Sequence, residues 1–193
     1  MAIQIIGLSG SLRRDSFNTT LLHAAAELMP EGSTLELRTI HGIPLYNGDE
    51  EDANGIPPLV EELKTKIAHA DGLLLATPEY NHSIPGPFKN AIDWLSRPGD
   101  DIPRVFGNKP VTVIGASPGG FGTILAQNAW LPVLSTLGTR PWFGDRLLLS
   151  RAHQAFTPAG QLSDPAILEH LRAFVTAFVQ FVAVQKTPAG TVP

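Results

Sequence analysis

Gly10-Ser11-Leu12-Arg13-Arg14-Asp15-Ser16-Phe17-Asn18 lies between two segments of different periodicity. Upstream, residues 2–8 form a short apolar run with Gly7 and Gly10 at its end, the pattern of a buried strand. Downstream, residues 18–29 are rich in Ala and Leu. They place Leu21, Leu22, Ala25 and Leu28 on one face and stop at Pro30 and Gly32, the pattern of a helix. The quoted stretch is therefore a strand-to-helix loop. A helix start has amides without intrahelical acceptors and a partial positive charge, which makes it an anion site. Ser11, Ser16 and Asn18 add short side-chain donors, and Arg13 adds a forked charge. The same residues also read as a capped helix, with Ser16 as N-cap and two solvated arginines.

Working outward, the alternation continues. Strand patterns fall at residues 34–40, 72–77, 110–116 and, more weakly, 147–150. Helical spacing falls at 58–70, 88–95, 122–137 with a bend expected at Pro132, and 165–185. Residues 41–57, with the acidic run 49–52, read as a loop, as do 78–87 and the turn 117–120. Strands alternating with helices predict an α/β fold. The expected form is a flavodoxin-like three-layer arrangement. Its five-stranded parallel sheet has order 2-1-3-4-5 and helices on both faces. In such sheets a ligand sits beyond the carboxyl ends of the strands, at the switch point, where the loops after strands one, three and four converge.

The chain has 193 residues, 43% hydrophobic and 17% charged, which fits one globular domain over 1–186 with a loose tail at 187–193. A net charge of −4 argues against a nucleic-acid partner. The absence of cysteine excludes disulfides, thiolate nucleophiles and Cys-ligated metals, and no metal site is expected. The N-terminal residues show neither a secretory signal pattern nor a span long enough for a membrane, so a cytoplasmic location is expected.

The other two loops carry distinct chemistry. Residues 78–86, Pro-Glu-Tyr-Asn-His-Ser-Ile-Pro-Gly, are stiffened by prolines and offer backbone donors and an aromatic ring to a flat heterocycle. Tyr80 and His82 also read simply as loop residues, and Glu79 alone is weak ground for a general base. Ser117-Pro118-Gly119-Gly120 admits close backbone approach. Gly115-Ala116-Ser117-Pro118-Gly119 fits G-x-S-x-G, with Asp145 and His153 following in hydrolase order. The residue after that serine must donate its N–H to an oxyanion, and Pro118 has none. Strand two ends in Arg38-Thr39-Ile40 without a ribose-binding acid, and no G-x-x-x-x-G-K-[ST] occurs. Dinucleotide and P-loop sites are thus not indicated.

With Gly10-Ser11-Leu12-Arg13 and Ser16-Phe17-Asn18, with residues 78–86 running into Lys89-Asn90-Ala91-Ile92-Asp93-Trp94, and with Pro44-Leu45-Tyr46-Asn47 and Ser117-Pro118-Gly119-Gly120, the chain resembles the NADPH-dependent FMN reductase family of flavodoxin-like proteins. The resemblance implies an FMN-dependent oxidoreductase. Such an enzyme moves a hydride from NADPH or NADH to quinones, free flavin, azo compounds or similar small acceptors, with no obligatory catalytic side chain. It implies that Ser11, Arg13, Ser16, Phe17 and Asn18 hold the FMN phosphate. Pro78, Glu79, Tyr80, Asn81 and Ser83 would contact the isoalloxazine or ribityl chain, with Ser117 and Gly120 closing the ring's other side. It further implies a homodimer or homotetramer, with residues 82–94 near the subunit contact. Many relatives carry arginines in the helix after Gly122; here residues 123–132 are more apolar and contain Pro132. The alternative in this framework is a flavodoxin-like electron carrier or flavin-binding protein without NAD(P)H turnover.

Overall fold

The computed structural model describes residues 2–157 and 160–186. Strands β1 (Ile3–Ser9), β2 (Ser33–Thr39), β3 (Gly72–Ala76) and β4 (Pro110–Ala116) are joined by helices α1 (Phe17–Glu27), α2 (Gly48–Asn54), α3 (Pro58–His69), α4 (Gly86–Leu95) and α5 (Ile102–Val105). After β4 come α6 (Ile124–Thr136), β5 (Arg140–Pro141), β6 (Leu147–Leu149), α7 (Ala152–Ala155) and α8 (Pro165–Lys186). The sheet runs β2-β1-β3-β4-β5, with β6 also on β4, and every pairing is parallel. This is the expected flavodoxin-like order.

Two-residue alternation along the strands builds two cores. Ile3 and Ile5 of β1 and Leu74 of β3 face α1 and α8, packing with Leu21, Leu22, Phe174 and Phe178. Ile6 and Leu8 of β1 and Leu73 and Leu75 of β3 face the other way, onto Val60, Ile67, Phe88, Trp94 and Trp130. All five residues of β3 are buried, as a central strand covered on both faces requires. Helix α8 is long and apolar enough to cross a membrane by length and composition. In the fold, its Leu171, Phe174, Val175, Phe178 and Val182 face the sheet.

The fifth sheet position departs from expectation. Two short strands fill it, β5 against Val111 and β6 against Ile114 to Ala116. Between them Trp142 packs on Phe174 and Phe178, at centroid distances of 5.0 and 5.7 Å. A Cβ on Gly144 would lie 2.6 Å from the Trp142 indole, so the chain folds back over this ring and leaves the strand line. Residues 41–57, expected as loop, contain α2, capped by the Asn47 side chain and bearing Asp49, Glu50 and Glu51 in its first turn. Pro132 lies inside α6 at an exposed position, and it has no N–H to give to the carbonyl one turn earlier. The tail expected at 187–193 lies outside the described residues.

Candidate functional site

The carboxyl ends of β1, β3 and β4 open on one cleft. Ser11, Arg13, Ser16, Phe17, Asn18, Pro78, Glu79, Tyr80, Ala116, Ser117 and Pro118 line it. Of the residues singled out in the sequence, Asn81, Ser83 and Gly120 do not line it. A second cleft of about 540 Å³ opens where the edge strand is split, between Leu131, Trp142 and Phe143, away from these loops.

The loop after β1 presents open donors at the start of α1. Ser16 caps α1, its hydroxyl accepting from the Thr19 amide and its carbonyl from the Thr20 amide. Phe17 and Asn18, the first helical residues, have amides without intrahelical acceptors, and no acidic residue sits in that turn. The buried Ser11 hydroxyl accepts from the Arg13 amide at 3.2 Å, which curls the loop. Arg13 and Arg14 are exposed, and neither has an ion pair among the described residues. Gly10 is fixed by packing, because a Cβ there would fall 2.0 Å from the Phe88 ring at the start of α4.

Asn18 does a different task. Its amide nitrogen donates to the Ala116 carbonyl and its oxygen accepts from the Ala116 amide, both at 2.9 Å. It thus clamps the start of α1 to the end of β4, leaving one side-chain N–H. Phe17 stacks on Phe156 at 5.8 Å, which anchors the same turn to the segment after α7.

The loop after β3 is equally constrained. Glu79 accepts from the amides of Leu125 and Ala126 at 2.9 and 3.0 Å, capping α6, and its other oxygen is 3.6 Å from His82 Nδ1. The carboxylate is therefore a strut between two loops. Tyr80 and Ser83 exchange backbone hydrogen bonds around Asn81 and His82, whose φ values of 49° and 62° are both left-handed. That is the type I′ hairpin turn, and asparagine suits it.

The loop after β4 excludes a serine nucleophile. The Ser117 hydroxyl donates to the Gly122 carbonyl at 2.6 Å, and Asp145 pairs with His170 at 2.8 Å rather than with His153. Gly115 leaves room for the N-cap residue of α6 and the turn after β3, since a Cβ would meet Thr123 Oγ1 at 1.9 Å and the Thr77 carbonyl at 2.5 Å.

Pro44-Leu45-Tyr46-Asn47 and the stretch with Asn90 and Trp94 carry the resemblance in the sequence with no contact assigned between them, and the structure joins them as a strap after β2. Asn90 of α4 accepts from the Tyr46 amide and donates to the Pro44 carbonyl, both at 2.8 Å, and Trp94 Nε1 donates to the same carbonyl at 3.0 Å. Tyr46 donates its hydroxyl to Glu51, which also pairs with Arg97. Arg97, with Tyr46, holds the Glu51 carboxyl below the usual range, while the hydrogen bond to Glu51 pushes the Tyr46 phenol up. His41 Nε2 lies 3.1 Å from the Leu12 carbonyl, joining strap and anion loop. The i, i+4 spacing of Asn90 and Trp94 on one helix face was the available signal.

A parallel sheet of order 2-1-3-4-5 with helices on both faces and a cleft at its switch point defines a flavodoxin-like protein. Within that class the chain belongs to the NADPH-dependent FMN reductase family, whose model matches residues 3–154. It is 43% identical over 180 residues to an NAD(P)H-dependent FMN reductase of Pseudomonas aeruginosa, covering 93% of this chain and 95% of that one. It is 35% identical over 185 residues to a quinone reductase of Escherichia coli K12, covering 93% and 95%. Among solved structures it resembles FerB, a flavoenzyme NAD(P)H:(acceptor) oxidoreductase from Paracoccus denitrificans. The TM-score is 0.85 at 34% identity, covering 95% of this chain and 99% of that one.

Proposed function

We propose that the protein holds FMN in the cleft at the ends of β1, β3 and β4 and catalyses two-electron transfer from NAD(P)H to quinones, free flavin, azo compounds or similar small acceptors. The cleft fits the group. One wall combines the open amides of the α1 start with the unpaired Arg13 guanidinium, the donor set for a phosphate. The other walls are backbone and the Tyr80 ring, which suit a flat heterocycle. Arg13, without an ion pair among the described residues and next to a first helical turn that holds no acidic residue, is the observation that carries the reading.

In this reading Ser11, Arg13, Ser16, Phe17 and Asn18 hold the phosphate. Asn18 acts mainly by fixing the loop to Ala116, and Phe17 through its backbone. Pro78 and Tyr80 border the ring and ribityl chain, Asn81 and Ser83 act from outside the lining by shaping the turn after Tyr80, Glu79 fixes that loop through α6, and Ser117 closes the far side with Gly120 beyond it. When bound, FMN supplies the redox chemistry, taking up a hydride equivalent and passing it on. The protein's own share is placement. Two struts (Asn18 to Ala116, Glu79 to α6) fix loops that line the cleft before any ligand arrives, while the Asn90 strap lies outside that lining. No side chain of the cleft is asked to move a proton. A homodimer or homotetramer with residues 82–94 near the contact, and a cytoplasmic location, complete the reading.

The test is steady-state kinetics of the FMN-loaded protein with NADPH and a quinone varied together. Parallel double-reciprocal lines are expected, since donor and acceptor use the same open face in turn. Absence of NAD(P)H oxidation would overturn the reading and leave a carrier.

A further inference from the structure

The loop after β4 has an anchored base and a bare tip. At the base, the Ser117 amide donates to the Leu149 carbonyl, the Arg151 amide to the Gly119 carbonyl, and the Ser117 hydroxyl to the Gly122 carbonyl. Gly122 is left-handed at φ 62°, and a Cβ on it would come 2.9 Å from the Leu148 backbone, so this end is wedged against β6. At the tip, a Cβ on Gly120 would meet nothing within 4 Å, and one on Gly119 only Ser117 Oγ at 3.7 Å.

Between Gly120 and Gly122 stands Phe121, 81% exposed. A phenyl ring there adds nothing to either core. Isolated exposed apolar residues are ordinary, but this one occupies the tip of a loop whose Ser117 and Pro118 line the cleft. The opposite loop carries the half-exposed Tyr80, and Glu79 ties that loop to the start of α6, directly after the Phe121 loop. Tyr80 and Phe121 thus stand on two loops that each give residues to the cleft, and the Glu79 cap on α6 holds those loops together.

We propose that Phe121 is a specificity-determining residue for the electron acceptor, covering one face of a planar, electron-poor ring such as a quinone. The negative face of the phenyl ring favours an offset stack on such a ring and offers nothing comparable to a non-planar acceptor. No proton or electron passes through Phe121. The proposal rests on the oxidoreductase reading above.

The experiment compares Phe121→Ala, Phe121→Leu and Phe121→Tyr, FMN-loaded, with 1,4-naphthoquinone as the planar acceptor and ferricyanide as the non-planar one. The naphthoquinone KM should rise about three- to tenfold in the Ala and Leu variants, the range of one aromatic contact. It should stay near wild type in the Tyr variant, with kcat changed much less than KM and ferricyanide KM much less than naphthoquinone KM. Equilibrium binding of 2-naphthol, a redox-inert planar probe, should weaken by the same factor. An unchanged naphthoquinone KM, an equal rise for both acceptors, or no recovery with tyrosine would overturn the proposal. A wild type that reduces neither acceptor would refute the oxidoreductase reading instead, while naphthol binding would still decide the role of Phe121.

Discussion

Arg13 and Asn18 stand at the two ends of one short loop and act differently. Arg13 is exposed and unpaired, while Asn18 is buried with its amide committed to Ala116 on both sides. Arg13→Ala should weaken FMN binding by about 1.5–3 kcal/mol, the range for a hydrogen bond to a charged group. Riboflavin, which lacks the phosphate, should lose nothing. Flavin-fluorescence titration of the apoprotein with both ligands checks this, and equal losses would refute the phosphate role. Asn18→Leu should instead lower stability, because the Ala116 amide and carbonyl lose their partners in a buried place, at about 1–3 kcal/mol each. Urea denaturation reads that loss directly. The side-chain types at both positions were legible as candidate phosphate ligands. The clamp was not, because its partner lies 98 residues away and no local pattern reports a contact of that kind. At the neighbouring hairpin, His82 is left-handed with an exposed side chain. His82→Gly should raise stability by about 1 kcal/mol, the cost of a left-handed non-glycine residue, visible as a higher Tm.

Whole elements were legible where periodicity governs and illegible where a single contact does. The four long strands and the helices between them follow from burial on one or two faces. Helix α2 escaped because none of its residues is buried, so it has no apolar stripe to read. The split of the edge strand escaped because it depends on Trp142 finding Phe174 and Phe178 on the last helix. Packing between elements also explains Gly10. Gly10→Ala should push the start of α4 off the anion loop, costing about 1–3 kcal/mol as overpacking does, and should weaken FMN binding along with stability. Behind α4, the buried Lys64 ammonium meets Asp101 at 2.7 Å, Glu61 at 3.0 Å and the Arg97 carbonyl at 2.6 Å. Hydrogen bonds from Arg104 and Lys64 hold the Asp101 carboxyl well below the usual carboxylate range. A depressed carboxyl contributes stability that is complete above its unfolded value near about 3.9 and is lost as pH falls through the folded value. The wild type should therefore lose stability steadily below about pH 4. Asp101→Asn should be less stable at neutral pH and show a shallower acid decline. Parallel acid declines in the two proteins would contradict this.

At the scale of the molecule, the order of the sheet decides where everything else is placed. Beginning in the middle and reversing direction creates the crevice at the ends of β1 and β3, and the loops there are the ones stiffened by proline, relieved by glycine and tied by struts. The chain belongs to the NADPH-dependent FMN reductase family, and a bound flavin would carry the redox chemistry there. The account's central claim is that this crevice seats FMN for reduction by NAD(P)H. An anaerobic titration of the FMN-loaded protein with NADPH, followed by visible absorbance, tests it most directly. The account predicts that the yellow flavin band bleaches at one NADPH per bound FMN and returns on adding a quinone. A protein that never turns yellow after FMN is added, or one whose band ignores NADPH and NADH alike, would contradict it.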